Sequence, residues 1–346
     1  MSGESRAEVV VVTGASAGVG RAVAEAFARR GAHLGLLARG QAGLEGARES
    51  VERLGGKAIA IPTDTADYDA VEAAAQQVED TFGPIDTWVN DALTTVFAEF
   101  LEMTPAEYRR VTEVTYLGFV HGTMAALKRM VPRNRGKIVQ VGSALAYASI
   151  PLQSAYCGAK HAINGFTSSV RIELMHNRSN VKISIAQLPA VNTPQFIWGR
   201  NKMPRKAQPV PPIYEPEVIA EAIYWLAHHD RRELWIGGST VRAILARRFF
   251  PEFVEWYLSK TGYKAQMYDG PPDPTQPDNL FHPADDTRDY GAHGPFGNRS
   301  LSSSYETWAA EHRPGLLAAV TGIVGLAGLV LATMRLLTLP RRRDIR

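Results

Sequence analysis

Three residue types at fixed spacing could carry redox chemistry at a carbon–oxygen bond: Ser143, Tyr156 thirteen residues later, and Lys160 four residues beyond that. Moving a hydride to or from a carbonyl carbon requires a proton at the oxygen in the same event, and a phenol with an ordinary pKa of about 10 does this poorly at neutral pH. A nearby cation would help. On a helix Lys160 falls on the same face as Tyr156, so its ammonium is expected to lower the phenol's pKa. Ser143, at the end of a predicted strand, is expected to hydrogen-bond the substrate oxygen and to steady charge as it develops. A YxxxK pair is common on exposed helix faces; the distance from Ser143 and the glycine-rich turn near the N-terminus give this one meaning.

That turn is VVVVTGASAGVG, residues 9–20, which puts Gly14, Ser16, Gly18, Val19 and Gly20 after a predicted strand and at the mouth of a predicted helix. Glycines there let the backbone approach a pyrophosphate, and free N–H groups with the positive helix end stabilise it. The second strand ends in Leu36-Leu37-Ala38-Arg39, where an NAD-selective site would supply an acid for the ribose 2′-hydroxyl. Arg39 instead offers a planar cation able to stack on adenine and pair with a 2′-phosphate, so NADP is the expected cofactor.

The elements that must position these residues read as alternating strands and helices. Strands are predicted at 9–12, 32–37, 58–61, 85–89, 137–141 and 181–187, with period-near-four apolar faces between them, such as Val19, Val23 and Phe27. The expected fold class is α/β, a Rossmann-type doubly wound parallel sheet, with a single catalytic domain over residues 1–260 and an extended C-terminal tail. After Pro189 the pattern loosens. A Pro- and base-rich stretch at 201–212 is expected to cover the substrate, followed by a helix at 215–228 and a last strand at 234–236. An amphipathic segment at 241–259, with Phe249, Phe250, Phe253 and Trp256, either packs on the domain or touches a membrane surface.

With TGASAGVG and Tyr156-Cys-Gly-Ala-Lys160 in that order, the chain resembles the short-chain dehydrogenase/reductase family over residues 8–238. Further landmarks fall at matching positions, and the resemblance implies their roles: Asp64 toward the adenine amine, Asn90 and Ala92 of VNDAL at the family's Asn-Asn-Ala-Gly turn, and Pro189, Val191 and Thr193 at the turn beside the nicotinamide. It also implies that Tyr156 and Lys160 contact the cofactor, the lysine at the nicotinamide ribose. One departure bears on catalysis. Thr115 stands where the family has an asparagine that helps hold a water linking the lysine to solvent, so an altered proton relay is expected. Asp91, Leu93 and Ala190 depart as well, without removing a catalytic group.

A net charge of +3 on 346 residues leaves no electrostatic footprint for nucleic acid. The single cysteine, Cys157, is read as packing, and no ligand spacing suggests a metal. Residues 261–314 are rich in Pro, Gly and Asp yet carry recurring aromatics, and are expected to be a linker or a segment that wraps the domain or a partner subunit. Residues 315–334 are twenty without a charge, read within 315–339 as a transmembrane or membrane-embedded helix before a basic tail at 340–346. The sum is a membrane-associated NADP(H)-dependent oxidoreductase with a cytoplasmic catalytic domain, interconverting a carbonyl and an alcohol on a lipophilic small molecule, as a homodimer or homotetramer. The alternative is a membrane-tethered dinucleotide-binding sensor or scaffold with little catalysis.

Overall fold

Four valines and a threonine, Val9–Thr13, form β1, every residue of it buried. Such an unbroken β-branched run is what a strand covered on both faces requires. In this computed structural model, which describes residues 6–312, β1 is an interior strand of a seven-stranded parallel sheet with β2 (His33–Ala38), β3 (Lys57–Pro62), β4 (Thr87–Asn90), β5 (Lys137–Val141), β6 (Lys182–Gln187) and β7 (Glu233–Trp235). The spatial order is β7-β6-β5-β4-β1-β2-β3. The chain order reverses between β1 and β4, so the loops leaving these strands diverge and open a crevice at their C-terminal ends.

Helices cover both faces: α1 (Gly18–Ala28), α2 (Gln41–Arg53), α3 (Tyr68–Phe82), α4 (Pro105–Thr112), α5 (Gly118–Met130), α6 (Ser154–His176) and α7 (Pro216–His228). One face packs Val71 and Val78 of α3 and Met130 of α5 against Val9, Val11, Trp88 and Ile138. Each such fully buried side chain contributes about 1.5–3 kcal/mol over its exposed state. Between α4 and α5 a π-helical turn, Glu113–Leu117, carries Thr115.

The predicted strands agree in number and order with the sheet, and their ends differ by one or two residues. The amphipathic segment at 241–259 falls on two helices, α8 (Gly238–Phe249) and α9 (Pro251–Ala265). Pro251 lacks the N–H that a continuing helix would use, and the chain breaks at Phe250 to restart with proline in the first turn. Residues 6–304 belong to one compact unit, and the helix Tyr305–Glu311 belongs to a second. Among the described residues no helix is long and apolar enough to cross a membrane; the runs 315–334 and 340–346 lie outside the described residues.

The loop over the crevice is tied to α4 by one buried acid. Glu107 closes the capping box with Thr104 and also accepts from Arg200 (2.9 Å) and Lys202 (2.8 Å). Burial alone would raise its carboxyl, but the bonds from Lys202, Thr104 and Arg200 outweigh that and hold it down at about 2. A depressed folded pKa stabilises above the unfolded value and is lost as pH falls through the folded one. Glu107→Gln should therefore cost about 3 kcal/mol in urea unfolding at pH 7. The gap to wild type should close as pH drops from about 4.5 toward 2; a gap independent of pH over that range would refute the assignment.

Candidate active site

Tyr156 and Lys160 lie one turn apart in the first half of α6, which meets the end of β5 there and packs its later residues Val170 and Leu174 on a face of the sheet. Lys160 is fully buried: its Nζ donates to Val141 O at the end of β5 (2.7 Å) and lies 4.6 Å from the centroid of the Phe119 ring. Burial pushes its pKa down, and the charge of Asp91 opposes this. Asp91, just beyond β4, is buried as well; burial pushes its carboxyl up, and the Lys160 charge and the Gly20 N–H pull it back. Each charge makes the other's burial tolerable.

Tyr156 is partly open to a cavity of about 610 Å³ and Ser143 borders the same space. The expectation that Lys160 lowers the phenol's pKa needs correcting. Burial pushes the phenol up, the hydroxyl of Ser143 opposes by hydrogen bonding, and the Cys157 and Asp91 charges add to the rise. The ammonium is turned toward Val141 O, with the Tyr156 ring centroid 5.6 Å away. Ser143 is fixed by Gln187, whose Oε1 accepts from Ser143 N (2.8 Å).

The glycine turn forms the opposite wall. Gly14 has φ +73° and lies so close to the next loop that a Cβ would stand 2.8 Å from Ala92 Cα. No residue with a side chain fits there without displacing the backbone of the loop after β4, so glycine lets the two loops meet. Thr13 Oγ1 pins the facing loop by accepting from Asp91 N and Ala92 N (3.0 and 3.2 Å).

Of the residues singled out from the sequence, Gly14, Ser16, Gly18, Val19, Arg39, Asp64, Ala92, Ser143, Tyr156, Lys160, Pro189, Val191 and Thr193 line this one cavity. Three do not. Gly20 packs on Gly14 O, where a Cβ would overlap it. Asn90 is fully buried, donating to Gln140 (2.9 Å) and accepting from Trp88 (2.8 Å), and so ties β4 to β5. Thr115 Oγ1 donates to Thr94 O (2.8 Å) and accepts from Thr94 N (3.0 Å), which binds the π-turn to the loop after β4 and engages the hydroxyl with backbone groups. Two others are engaged differently than expected. Asp64 accepts from Arg110 (2.5 Å), and both terminal nitrogens of Arg39 donate to residues 279–281 of the tail.

Sequence reasoning missed Asp91 as the partner of Lys160, and missed the tail as a wall of the cavity, which Asn279 and Asp285 line. The recurring aromatics of the tail point to a segment that wraps the domain or a partner subunit, without giving the cavity as its place. Residues 279–301 run along the mouth of the crevice as a strap: Gly18 N donates to Gly291 O (3.1 Å), Phe296 N to Asn192 Oδ1 (3.0 Å), and Ser300–Leu301 pairs in parallel with Ile213–Tyr214. Glu215, Glu217 and the strap's His293 bring possible metal-ligand atoms within 4.8 Å of one another; His293 Nε2 is 2.9 Å from Glu217 Oε1.

Residues 8–201 match the family described as short chain dehydrogenase. The chain belongs to that family. An uncharacterised oxidoreductase of Bacillus subtilis (strain 168), YxnA, is 29% identical over 322 residues, covering 92% of this chain and 90% of its own. The 3-dehydrosphinganine reductase of Danio rerio is 29% identical over 222 residues, covering 62% of this chain and 66% of its own. A metagenomic short-chain oxidoreductase solved in complex with NADP superposes with a TM-score of 0.57 at 26% identity, covering 67% of this chain and 97% of its own. This dehydrogenase is an oxidoreductase of the carbonyl/alcohol type, and its family uses a nicotinamide dinucleotide.

In this dehydrogenase Asp91→Asn would leave the Lys160 ammonium buried without its anionic partner, and its pKa should fall further. Binding that needs the charged lysine should then lose its alkaline limb at a pH lower by about one unit. Titrating NADP+ binding to both proteins between pH 6 and 10 checks this, and superimposable curves would sink the pairing.

Proposed function

We propose that this chain interconverts a carbonyl and an alcohol on a lipophilic small molecule with NADP(H), Tyr156 acting as general acid/base. The observation that carries the reading is the convergence of Ser143, Tyr156 and Lys160 on one cavity that also meets the glycine turn. The glycine turn fits a dinucleotide, because Gly14, Ser16 and Gly18 border the cavity at the N-terminal end of α1, and a helix N-terminus there offers the N–H groups a pyrophosphate needs. When bound, the nicotinamide supplies or accepts the hydride. Tyr156 delivers or takes the proton at the substrate oxygen, and Ser143 donates a hydrogen bond to that oxygen and orients it. Lys160, held by Val141 O with its ammonium 5.6 Å from the Tyr156 ring centroid, keeps positive charge near the phenol and, as the family resemblance implies, would hold the cofactor ribose.

Arg39 at the end of β2, without an acid there, supports NADP(H), as does the NADP complex of the metagenomic relative. Phe196, Trp198, Val210, Phe253, Val254 and Leu258 give the substrate end an apolar lining, which supports a lipophilic substrate. The resemblance to a 3-dehydrosphinganine reductase points the same way. Phe249, Phe250, Phe253 and Trp256 are exposed beside Arg247 and Arg248, and with the charge-free run 315–334 they favour work at a membrane surface. Deleting residues 315–346 should move the protein from the membrane fraction to the soluble one; retention on membranes would refute an anchor there.

Tyr156→Phe should lower turnover by about 100-fold or more while NADPH still binds. Because the wild-type phenol is raised, it stays protonated through neutral pH. Carbonyl reduction, which consumes the proton, should run level from about pH 6 to 9, and alcohol oxidation, which needs the phenolate, should climb with pH across that range. Undiminished NADPH oxidation by the Phe variant on an accepted ketone or aldehyde would overturn the mechanism.

A further inference from the structure

The acid that selects NAD(H) in a dinucleotide fold normally sits at the end of β2, where it accepts from the adenosine ribose 2′-hydroxyl. Here that strand supplies Ala38, Arg39 and Gly40. A carboxylate nevertheless stands in that place, brought by the strap. Asp285 lies so close to Gly40 and Gly43 that a Cβ on Gly40 would overlap Oδ1 and one on Gly43 would overlap Oδ2; the same added Cβ on Gly43 would come within 2.9 Å of Ser16 Cβ. The side chain is therefore wedged between the end of β2, the start of α2 and the glycine turn.

The strap is held there by backbone bonds that do not use the Asp285 carboxylate. Gly43 N donates to Asp285 O (3.0 Å), Ala42 N to Asp286 O (3.2 Å) and Gln41 N to Asp286 Oδ1 (3.2 Å), so the strap caps the first turn of α2, whose own N-cap, Gly40, has no side chain. Asp285 is 5% exposed and lines the cavity. Its carboxylate accepts no hydrogen bond among the described residues and feels the charge of Arg39. On the cavity wall that carboxylate is free to accept from a donor that arrives in the cavity.

We propose that Asp285 is a cofactor-specificity residue: its carboxylate accepts from the adenosine ribose 2′-hydroxyl and repels a 2′-phosphate. The inference rests on the dinucleotide reading above and sharpens it, because it sets two opposed determinants at one position. Arg39 draws the phosphate, yet its terminal nitrogens already donate to the carbonyls of Asn279, Leu280 and Phe281, so a phosphate must compete with the strap for them. Asp285 adds a fixed negative charge at the same end. The enzyme consequently accepts NADH with a narrower margin against NADPH than Arg39 alone would set.

Binding of adenosine nucleotides to the full chain, followed by calorimetry, tests this without turnover. Wild type should bind 5′-AMP about tenfold more tightly than 2′-deoxy-5′-AMP, which lacks the donor. Asp285→Ala should erase that gap. Asp285→Asn keeps the shape, the strap and an acceptor oxygen but removes the charge; it should raise the affinity for 2′,5′-ADP relative to 5′-AMP about tenfold, and with it the ratio of kcat/KM for NADPH over NADH. Equal binding of 5′-AMP and its 2′-deoxy form by wild type, or an unchanged 2′,5′-ADP to 5′-AMP ratio in the Asn variant, would overturn the proposal. Failure of every adenosine nucleotide and of NADP+ to bind would instead overturn the dinucleotide reading on which it rests.

Discussion

The burial of one ammonium organises the active centre. Lys160 sits with no solvent exposure at the junction of α6 and β5, a position costly for a charge unless it is compensated from several sides. Val141 O compensates as an acceptor, the Phe119 ring as a face and Asp91 as a counter-charge. Asp91 in turn takes the N–H of Gly20 from the first turn of α1, and Thr13 pins the loop that carries it. The lysine therefore couples the glycine turn, the ends of β1, β4 and β5, and the helix bearing Tyr156. The two halves of the crevice are set against each other through charge, and Tyr156 and Ser143 take their positions above that floor.

A second layer of control comes from outside the sheet. The loop carrying Arg200 and Lys202 is tied down to α4 through Glu107, and Arg200 also pairs with Asp278 at the entry to the strap (2.5 Å). The strap then meets Arg39, the start of α2, the glycine turn and the loop after β6 in succession. Its residues supply caps and acceptors that the sheet and helices lack at their own ends. The tail belongs to the crevice in a physical sense, since it lines the cavity and satisfies donors that would otherwise face it.

The sheet was legible because the strands of a two-sided parallel sheet must be nearly continuous apolar runs, and valines at 9–12 can hardly be read otherwise. The glycine turn and the Tyr156–Lys160 spacing were legible because local geometry fixes them: a turn that must leave room for a phosphate, and a helix that puts residues four apart on one face. The break at Phe250 was obscured because the amphipathic pattern continues through it, and only Pro251 marked it. For Thr115 spacing gave the position in the chain and the departure from asparagine, while the π-turn and Thr94 decided where its hydroxyl went.

What the sequence alone determined is whatever depends on neighbours in the chain: the α/β class, the positions of the core strands along the chain, the glycine turn at Gly14 and Gly18, and the alignment of Tyr156 with Lys160. What only the tertiary structure decided is the environment of each charge. Whether a phenol is raised or lowered, whether Lys160 meets Asp91 or water, and whether Arg39 faces a free crevice or the carbonyls of residues 279–281 depend on groups tens to hundreds of residues apart. Electrostatic energy is set by separation in space and by burial, and neither is written in the local pattern of the chain.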